Sequence, residues 1–305
     1  MSRAVVHESF GGPEVLELRE VPEPHAGPGE VRVRVAAVGL NPMDWLLAAM
    51  PDLAQAFGYK VPSGFGSDLA GVVDEVGEGV EGFAAGDRVY GGSPGRAAAD
   101  YAVLDAGDRL WHTPADISDE TASTLPVAGR TAAAALHAIG LQPGETVLIG
   151  GAAGGVGVFA VQLASLAGAT VIATGSEGTF GFLRELGAQP VAYGSGLADR
   201  VRALAPSGVN AATALVGTET IDAALALGVE PERISAIAAG PNPPGGARAT
   251  GAREAPSYAL ERITSAIAAG SLIVPIAATF PLEQIREAVT LQLGGHVHGK
   301  IVVKL

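Results

Sequence analysis

Apolar and polar side chains alternate in short runs over the first hundred residues, and glycine and proline separate the runs. The alternation is clearest over 31–38, where valine and arginine alternate from residue 31 to residue 35. A period of two is typical of a strand with one buried face. The pattern predicts strands over 3–6, 15–19, 31–38, 70–76 and 88–90. Their Gly/Pro-rich connections predict a β-barrel-like domain.

From about Thr121 onward the hydrophobic period lengthens to that of helices, and strands and helices begin to alternate. This alternation predicts a doubly wound parallel sheet of the Rossmann type, so the expected fold class is α/β with a barrel and a parallel sheet. The predicted strands lie at Thr146, Thr170, Val191, Val209 and Ser235, and the helices near Gly155, Gly178, Leu197, Thr218 and Tyr258. Residues 240–251 are predicted to form a loop, residues 281–293 a helix and residues 301–305 a final strand.

A glycine-rich turn follows the first predicted strand of the parallel sheet. The apolar run 146–149 leads into Gly151, Gly154 and Gly157 at three-residue spacing, and a helical pattern covers 156–167. Glycines let a pyrophosphate approach the backbone, and the N–H groups and dipole of a new helix favour its charge. The turn predicts a dinucleotide site formed by Ala152, Gly154, Gly155, Val156 and Gly157. An ordinary strand-to-helix turn is the structural alternative.

The second strand of this unit ends in Thr174, Gly175 and Ser176. NAD sites usually carry Asp or Glu near this point to bind the ribose 2′-hydroxyl, whereas small residues leave room for a 2′-phosphate. Thr174 and Ser176 therefore favour NADP as the cofactor. Glu177 is the next residue and is able to turn towards the ribose instead.

Composition narrows the remaining chemistry. The chain of 305 residues has a formal net charge of −13, and its lysines are Lys60, Lys300 and Lys304. This balance disfavours binding to nucleic acid or an anionic membrane surface. The chain has no cysteine and its six histidines lack metal-ligand spacing, which argues against a metal site. Without a leader or an apolar segment of spanning length, the expected location is the cytoplasm.

Further motifs follow one another in order along the chain. They are Asn41-Pro-Met-Asp44-Trp45, Gly66-Ser-Asp68-Leu-Ala-Gly71, Val76-Gly-Glu-Gly-Val80, Gly86-Asp-Arg-Val89, Leu125-Pro-Val-Ala-Gly129 with Thr131, Phe182-Leu-Arg-Glu-Leu-Gly-Ala188 and Gly299-Lys-Ile-Val-Val303. Together with the glycine turn, they resemble the zinc-independent quinone oxidoreductase branch of the medium-chain dehydrogenase/reductase superfamily over essentially the whole chain.

The resemblance implies a GroES-like catalytic domain over 1–122, a Rossmann NADP-binding domain over 123–262 and a return to the catalytic domain over 263–305. The active site would lie in the cleft between the domains. The implied reaction is metal-free hydride transfer from NADPH to a small-molecule quinone or α,β-unsaturated carbonyl. The implied assembly is a homodimer, for which the sequence offers strand 235–239 as an exposed sheet edge.

The resemblance also assigns site residues, each with a structural alternative. Asn41, Asp44 and Thr131 would be catalytic. The structural alternatives are an Asn-Pro turn at Asn41, a cap of a helix over 45–49 at Asp44, which is the commoner role of such an aspartate, and helix packing at Thr131. Trp45, Tyr59 and Arg130 would bind substrate, although aromatic residues also build cores and an arginine also faces solvent. Further cofactor contacts would come from Tyr193, Val216, Ile237, Ala238 and Lys300. The structural alternative is that the first four are simply strand ends and that Lys300 is a solvated lysine. Asp68 is expected to be a structural hydrogen-bond anchor.

Some positions depart from the pattern of the family. Trp45 and Leu46 stand where relatives commonly have Tyr or Lys, and Gly178 and Thr179 stand where relatives often have a cation for the 2′-phosphate. These departures leave two alternatives open, since a fold does not fix a function. One is an enzyme of specialised metabolism that performs polyketide enoyl reduction or a non-redox cyclisation or elimination. The other is an NADPH-binding sensor without turnover.

Overall fold

The computed structural model describes residues 1–107 and 109–305. They form two compact units: unit 1 comprises residues 1–127 and 276–305, and unit 2 comprises residues 128–275. The sequence-based borders, after residues 122 and 262, differ from this division. In particular, the segment up to residue 275 packs in unit 2, where the Gln162 side chain bonds both the backbone N–H and the carbonyl of Ile273 at 2.9 and 2.8 Å.

The strands of both units are numbered in chain order. They are β1 Ser2–His7, β2 Glu17–Val21, β3 Glu30–Gly39, β4 Ser63–Gly64, β5 Asp68–Val76, β6 Arg88–Gly92, β7 Tyr101–Asp105, β8 Leu110–His112, β9 Thr146–Gly150, β10 Thr170–Gly175, β11 Gln189–Ala192, β12 Ala211–Ala214, β13 Ile234–Ala236, β14 Arg248–Ala249, β15 Ile276–Pro281 and β16 Lys300–Lys304.

The helices are mostly short and follow the strands closely. They are α1 Pro42–Ala49, α2 Pro51–Ala56, α3 Asp119–Ala122, α4 Arg130–Ala138, α5 Gly157–Leu166, α6 Phe180–Glu185, α7 Leu197–Leu204, α8 Glu219–Ala226, α9 Ala259–Ala268 and α10 Ile285–Leu293. A π-turn over Leu125–Gly129 precedes α4. Within the described part of the chain, no helix has the length and apolar character needed to cross a membrane.

Unit 1 is built from mainly antiparallel sheets. One sheet has the order β15-β16-β3-β5-β6-β8, with β7 also paired to β3, and the other has the order β2-β1-β4. The alternation over 31–38 places the side chains of Val31, Val33 and Val35 in the core, where they are 0–4% exposed. The last strand, β16, pairs antiparallel with β3, Val302 lying opposite Gly39. This pairing brings the C-terminal residues beside the loop that follows β3.

Unit 2 is a parallel sheet of order β11-β10-β9-β12-β13-β14. The chain enters at β9 in the middle, moves outward through β10 and β11, and returns to the other side through β12, β13 and β14. The order therefore reverses between β9 and β12, and ligands of such sheets bind beyond the carboxyl ends of the strands at this point. The predicted fold class, α/β with a strand-rich unit and a doubly wound parallel sheet, is confirmed.

Two predicted element borders are wrong. Val15 belongs to a 3₁₀ turn over Pro13–Val15, so the second strand begins only at Glu17. Pro281 ends β15, and the helix predicted from that residue begins at Ile285. Both errors come from proline and glutamate residues that are compatible with a turn as well as with a regular element.

The strand predicted as a free edge is also covered. β13 pairs on its outer side with β14, which is part of the segment 240–251 predicted as loop, and Thr250 N–H donates to the carbonyl of Ala236. β14 consists of only two exposed residues, too few to give a strand pattern. The parallel sheet therefore ends at β14 and not at 235–239.

Candidate functional site

The glycine turn of unit 2 joins β9 to α5 and has the geometry of a strand-to-helix turn. Gly151 lies in the left-handed region with a φ of 71°. A Cβ atom at Gly157 would meet the carbonyl oxygens of Gly151 and Ala152, so this position requires glycine. At Gly154 the nearest atom to such a Cβ is 3.4 Å away, the carbonyl oxygen of Gly151, so the backbone there is accessible.

Hydrogen bonds inside the turn leave part of its backbone open. The N–H groups of Gly154, Val158 and Ala160 donate to the carbonyls of Gly151, Gly154 and Val156. The N–H groups between them belong to Gly155, Val156 and Gly157, at the start of α5. The first N–H groups of a helix lack partners within it and attract anions. The turn therefore fits a pyrophosphate, and the residues predicted for that role lie together here.

The other predicted cofactor contacts lie where the strands of unit 2 end. Tyr193 follows β11 and is 55% exposed, and Val216 follows β12 and is 62% exposed. Ile237 and Ala238 follow β13, Ile237 half-buried and Ala238 exposed. Because all these strands are parallel, their carboxyl ends share the sheet edge at which the glycine turn lies. The structure thus brings the predicted cofactor residues of unit 2 to one edge.

The loop after β11 is held by an arginine that the sequence analysis did not single out. Arg200 on α7 donates hydrogen bonds to the carbonyls of Ala192, Tyr193, Gly194 and Ser195 at 2.7–3.2 Å. Four consecutive carbonyls fix the backbone of this loop. Arg200 is therefore committed to the loop that carries Tyr193.

The end of β10 is the region predicted to contact the ribose. The Thr174 side chain is buried, and its hydroxyl accepts a hydrogen bond from Gly151 N–H at 3.3 Å. Ser176 and Glu177 are exposed, and Glu177 begins a 3₁₀ turn over Glu177–Thr179. Thr174 thus supports the glycine turn, while Ser176 and Glu177 both lie at the surface of this edge.

Two predicted residues lie side by side at the start of α4 in unit 2. Thr131 is buried, with 5% of its surface exposed, and Arg130 is half-buried. The preceding π-turn is a rare element that often marks functional positions. The catalytic role of Thr131 and the substrate-binding role of Arg130 stay predictions.

Unit 1 contains a buried polar network around Asn41. Lys300 Nζ donates to Asn41 Oδ1 at 2.7 Å and to the Leu40 carbonyl at 2.8 Å. Asn41 Nδ2 donates to Asp68 Oδ2 at 2.9 Å and to the Gly39 carbonyl at 3.2 Å. Both donor positions of the amide are thus occupied. Lys300 is 2% exposed, so the alternative of a solvated lysine is wrong; its contact with a cofactor stays a prediction.

Asp68 supports the expectation of a structural anchor. Its side chain is fully buried, and Oδ2 also accepts a hydrogen bond from Val127 N–H at 3.0 Å. Oδ1 has no hydrogen-bond partner among the described residues. Burial raises the pKa of Asp68 above the ordinary carboxyl value, and the positive charge of Lys300 opposes the shift. Burial in turn lowers the pKa of Lys300, opposed by the two nearby aspartates.

Asp44 joins this network through the first turn of α1. Asn41 is the N-cap residue in extended backbone geometry (φ −128°, ψ 147°), and its N–H donates to Asp44 Oδ2 at 2.8 Å. Ser67 Oγ donates to Asp44 Oδ1 at 2.6 Å. The structural reading of Asn41 as an extended residue before proline is thus confirmed. The prediction that Asp44 caps a helix over 45–49 is wrong in position, because the helix begins at Pro42 and its N-cap is Asn41. Asp44 is the third helical residue, and its carboxylate accepts from the N–H of the N-cap residue. The catalytic roles of Asn41 and Asp44 stay predictions.

The carboxyl group of Asp44 is electrostatically unusual. Burial raises its pKa to about 6, although hydrogen bonds from Ser67 and Asn41 and the charge of Lys300 act in the opposite direction. An ordinary aspartate has a pKa of about 3.9. A carboxyl group that titrates near neutral pH is suited to proton transfer.

A small pocket of unit 1 borders Asp44. Its lining includes Ser67, Tyr59, His7 and Phe10, and its cavity volume of about 10 Å³ is enough for one water-sized group. Tyr59 Oη is buried and has no hydrogen-bond partner in the described part of the chain. Burial and the charge of Asp44 raise the pKa of Tyr59 to about 12, so the hydroxyl remains protonated.

Trp45 lies outside this pocket lining. Its ring packs against the hydrophobic core of unit 1, and its indole Nε1 is buried without a hydrogen-bond partner among residues 1–107 and 109–305. The geometry thus shows Trp45 as a residue that packs against the core, which is the structural alternative for this position. Its contact with substrate stays a prediction.

The sequence reasoning missed Ser67 and His7. Ser67 stands beside Asp68 in the Gly66-Ser-Asp68 motif, which was a local signal. His7 is 5% exposed, and its Nδ1 lies 3.1 Å from the Ser9 carbonyl. Because a carbonyl only accepts, Nδ1 carries the hydrogen in this contact. No sequence signal connected His7, Tyr59 and Asp44, which lie far apart along the chain.

The donor set of the chain does not fit a metal centre. The chain has no cysteine. In the part that the structure describes, no group of three or more His, Asp or Glu side chains is arranged to hold an ion. Zinc sites need three or four such ligands.

Comparisons with known proteins agree with this architecture. The Alcohol dehydrogenase GroES-like domain matches residues 27–115, and Zinc-binding dehydrogenase matches residues 155–253. A quinone oxidoreductase of Pseudomonas aeruginosa is 42% identical over 179 residues, covering 58% of this chain and 54% of that protein. The chain is thus matched to little more than half the length of this curated relative.

Two further comparisons bear on cofactor and substrate. The structure of a mycobacterial protein complexed with NADPH is 26% identical, with a TM-score of 0.87 and full coverage of both chains. Erythronolide synthase EryA2 of Saccharopolyspora erythraea is 46% identical over 160 residues, which is 52% of this chain and 4% of that protein.

A GroES-like domain followed by a doubly wound sheet with a glycine turn defines the two-domain class of the medium-chain dehydrogenases/reductases. Within that class, the chain belongs to the quinone oxidoreductase branch of the medium-chain dehydrogenase/reductase superfamily.

Proposed function

We propose that the protein is an NADPH-dependent, metal-free reductase that transfers hydride to a quinone or an α,β-unsaturated carbonyl compound. The observation that carries the proposal is the glycine turn of unit 2, whose N–H groups at Gly155, Val156 and Gly157 lie beside the open ends of the strands. Bound NADPH supplies the hydride, and the protein supplies binding and orientation.

The preference for NADPH over NADH rests on the end of β10. Gly175 and Ser176 are small, and Ser176 is exposed, which leaves room for a 2′-phosphate. A mycobacterial neighbour complexed with NADPH supports this assignment. Glu177 is the residue that opposes it, because its carboxylate is exposed at the same position and repels a phosphate.

Metal-free chemistry follows from the donor set and from the substrate class. Quinones and enones accept hydride at carbon or oxygen without a Lewis acid when they are held in the reactive orientation, and orientation supplies several kcal/mol of the barrier. Asn41, Asp44 and Thr131 are the proposed catalytic residues, and Trp45, Tyr59 and Arg130 the proposed substrate contacts. The pocket beside Asp44 supports this for Asp44 and Tyr59, since both line it.

Enoyl reduction is a second candidate. The specific observation is the 46% identity to 160 residues of a polyketide synthase. An enoyl thioester is also an α,β-unsaturated carbonyl compound, so the same hydride and proton transfers apply. Turnover with an enoyl thioester but not with quinones would select this candidate.

We also propose a homodimer. β14 ends the sheet of unit 2, and Thr250 N–H points towards β13. Because donors alternate along a strand, Ala249 N–H faces the outer edge. Ala249→Pro removes this donor and is expected to lower the mass in solution to that of one chain. An unchanged mass would reject this edge as the interface.

Steady-state turnover tests the proposed reaction. NADPH oxidation is followed with 1,4-benzoquinone, 9,10-phenanthrenequinone, a short enone and an enoyl thioester, and the products are identified. The proposal expects reduction of at least one acceptor with NADPH preferred over NADH. Stoichiometric NADPH binding without turnover of any acceptor would support a sensor and reject the reductase.

A further inference from the structure

The pocket of unit 1 brings together a buried carboxyl group and a hydroxyl group that is hydrogen-bonded to it. Ser67 Oγ donates to Asp44 Oδ1 at 2.6 Å, and both residues line the pocket. Ser67 is held in place by Gly66, which adopts a φ of 81°, and by Ser93 N–H, which donates to the Ser67 carbonyl at 2.7 Å. The serine therefore has a fixed position beside the carboxyl group, at the wall of the same cavity.

The direction of this hydrogen bond depends on the protonation state of Asp44. When Asp44 is ionised, its carboxylate only accepts, so the Ser67 hydrogen points to Asp44 and the serine offers lone pairs to the pocket. When Asp44 is protonated, its O–H donates to Ser67 Oγ, and the serine hydrogen is free to point into the pocket. The serine thus converts a buried acid into a donor at the pocket surface.

We propose that Asp44 and Ser67 form a proton relay that delivers the proton to the reduced substrate. The inference rests on the proposed reductase function. It concerns the proton donor. The positions after Asp44, where relatives commonly have Tyr or Lys, are Trp45 and Leu46 in this chain. The group admitted to the pocket is an oxygen atom of the substrate or a single water molecule that contacts it, since the cavity of about 10 Å³ holds no ring.

The atoms and electrons of the step balance. After hydride forms a bond to the β-carbon of an enone, the displaced electron pair lies on the substrate oxygen as an enolate. This oxygen takes the hydrogen of Ser67 Oγ as Ser67 takes the proton of Asp44. Asp44 remains as a carboxylate and recovers a proton from solvent. The net reaction consumes one hydride and one proton for each carbonyl compound reduced.

The hydroxyl of Tyr59, a second donor at the pocket, is a weaker acid than Asp44. Tyr59 Oη lies in the same lining without a partner in the described chain, but its pKa of about 12 keeps it protonated at neutral pH. Asp44, with a pKa of about 6, releases its proton far more readily. Tyr59 is instead suited to donate a hydrogen bond that holds the substrate oxygen.

Other charged groups surround Asp44 from several elements. Lys300 on β16 favours its ionised form, and Asp68 on β5 lies close enough to interact with it. His7 on β1 and Lys60 after α2 also line the pocket. More distantly, Arg96 and Arg109 act on Tyr59. The pH dependence of the relay therefore belongs to this cluster, with Asp44 as the member in contact with Ser67.

Substitution of Ser67 separates the relay from the helix cap. Ser67→Ala removes the bridging hydroxyl but keeps the bond from Asn41 N–H to Asp44. We expect kcat for an enone to fall about 100-fold, because general acids contribute roughly 10²–10⁴-fold. Ser67→Thr restores a hydroxyl and should recover most of kcat. Ser207→Ala is the control for loss of a serine hydroxyl, since Ser207 is exposed and lies outside the pocket lining.

Three readouts distinguish a relay from a structural role. Wild-type kcat for the enone should fall as pH rises above about 6 and show a solvent deuterium isotope effect, and both signatures should disappear in Ser67→Ala. The loss should be smaller with 1,4-benzoquinone, because a hydroquinolate is a weaker base than an enolate. Wild-type kcat and pH profile in Ser67→Ala, or an equal loss in Ser207→Ala, would overturn the relay.

An infrared titration tests the relay without cofactor or substrate. The protonated carboxyl band of Asp44 should disappear near pH 6 in the wild type, be absent in Asp44→Asn and shift in Ser67→Ala. A band unaffected by Ser67→Ala would contradict the hydrogen-bonded pair. If no acceptor is reduced but the titration behaves as expected, the proposed function fails while the acid pair stands.

Discussion

Lys300 and Asn41, which lie 259 positions apart in the chain, are joined by a hydrogen bond of 2.7 Å from Nζ to Oδ1. Lys300 cannot accept a hydrogen bond, so this contact fixes the amide oxygen towards the lysine and the amide nitrogen towards Asp68. The orientation of Asn41 at the start of α1 therefore depends on the last strand of the chain.

Lys300→Met is expected to destabilise the fold by about 3 kcal/mol, because it leaves two buried acceptors and a buried carboxyl group without their cation. Urea unfolding measures the change. Lys304→Met is the matched control, since Lys304 lies on the same strand but is half-exposed and contacts Glu120 at the surface. Equal effects of the two substitutions would refute the structural importance of the buried network.

The free energy of unfolding of Asp44→Asn, relative to that of the wild type, should increase as pH rises. The folded wild type binds the Asp44 proton more tightly than the unfolded chain, because burial raises the folded pKa to about 6. Ionisation between about pH 4 and pH 6 therefore costs folding free energy on the order of 3 kcal/mol, which the amide avoids.

Urea unfolding of both proteins at pH 4.5 and 7 measures this difference. Asp52→Asn, at an exposed carboxyl group of α2, is the control and should show no comparable change. A stability difference between Asp44→Asn and wild type that is constant across this range would contradict the raised pKa of Asp44.

Gly155→Asp should weaken NADPH binding by at least about 100-fold, because a negative charge and a side chain would occupy the anion site at the start of α5. Gly155→Asn adds nearly the same volume without charge and should weaken binding less. Fluorescence titration measures both affinities. Gly181→Asp, at an exposed position of α6, controls for added charge elsewhere in unit 2. Unchanged affinity in Gly155→Asp would remove the assigned turn from the cofactor site.

Glu177→Arg should raise the affinity ratio of NADPH to NADH about 10-fold, because it replaces an exposed anion by a cation that pairs with the 2′-phosphate. Competition titrations with both nucleotides measure the ratio. Glu185→Arg makes the same charge change at the other end of α6 and should leave the ratio unchanged. A ratio insensitive to Glu177→Arg would mean that the ribose lies elsewhere.

The glycine turn was predictable because its signals are local. An apolar run, three spaced glycines and a helical pattern are adjacent in sequence, and the backbone conformation at Gly151 and the contact at Gly157 explain why glycine is needed there. The strands β9 to β13 of unit 2 were predicted for the same reason, since each carries a short apolar run.

The network around Asn41 was only partly predictable. Asn41, Asp44 and Lys300 were singled out one by one, but the pairing of β16 with β3 that brings Lys300 to Asn41 is a long-range contact with no local signal. Similarly, β14 has two residues, so the sequence pattern missed it and left β13 as the expected edge. Ser67 was overlooked because a serine between glycine and aspartate is compatible with a turn.

The most direct test of the central claim is a single-turnover experiment with the wild-type protein. NADPH is titrated by fluorescence, and the bound cofactor is then mixed with 1,4-benzoquinone, 9,10-phenanthrenequinone or a short enone. We expect saturable NADPH binding followed by oxidation of one equivalent of cofactor with formation of the reduced acceptor. Binding of neither NADPH nor NADH, or bound NADPH that no acceptor oxidises, would contradict it.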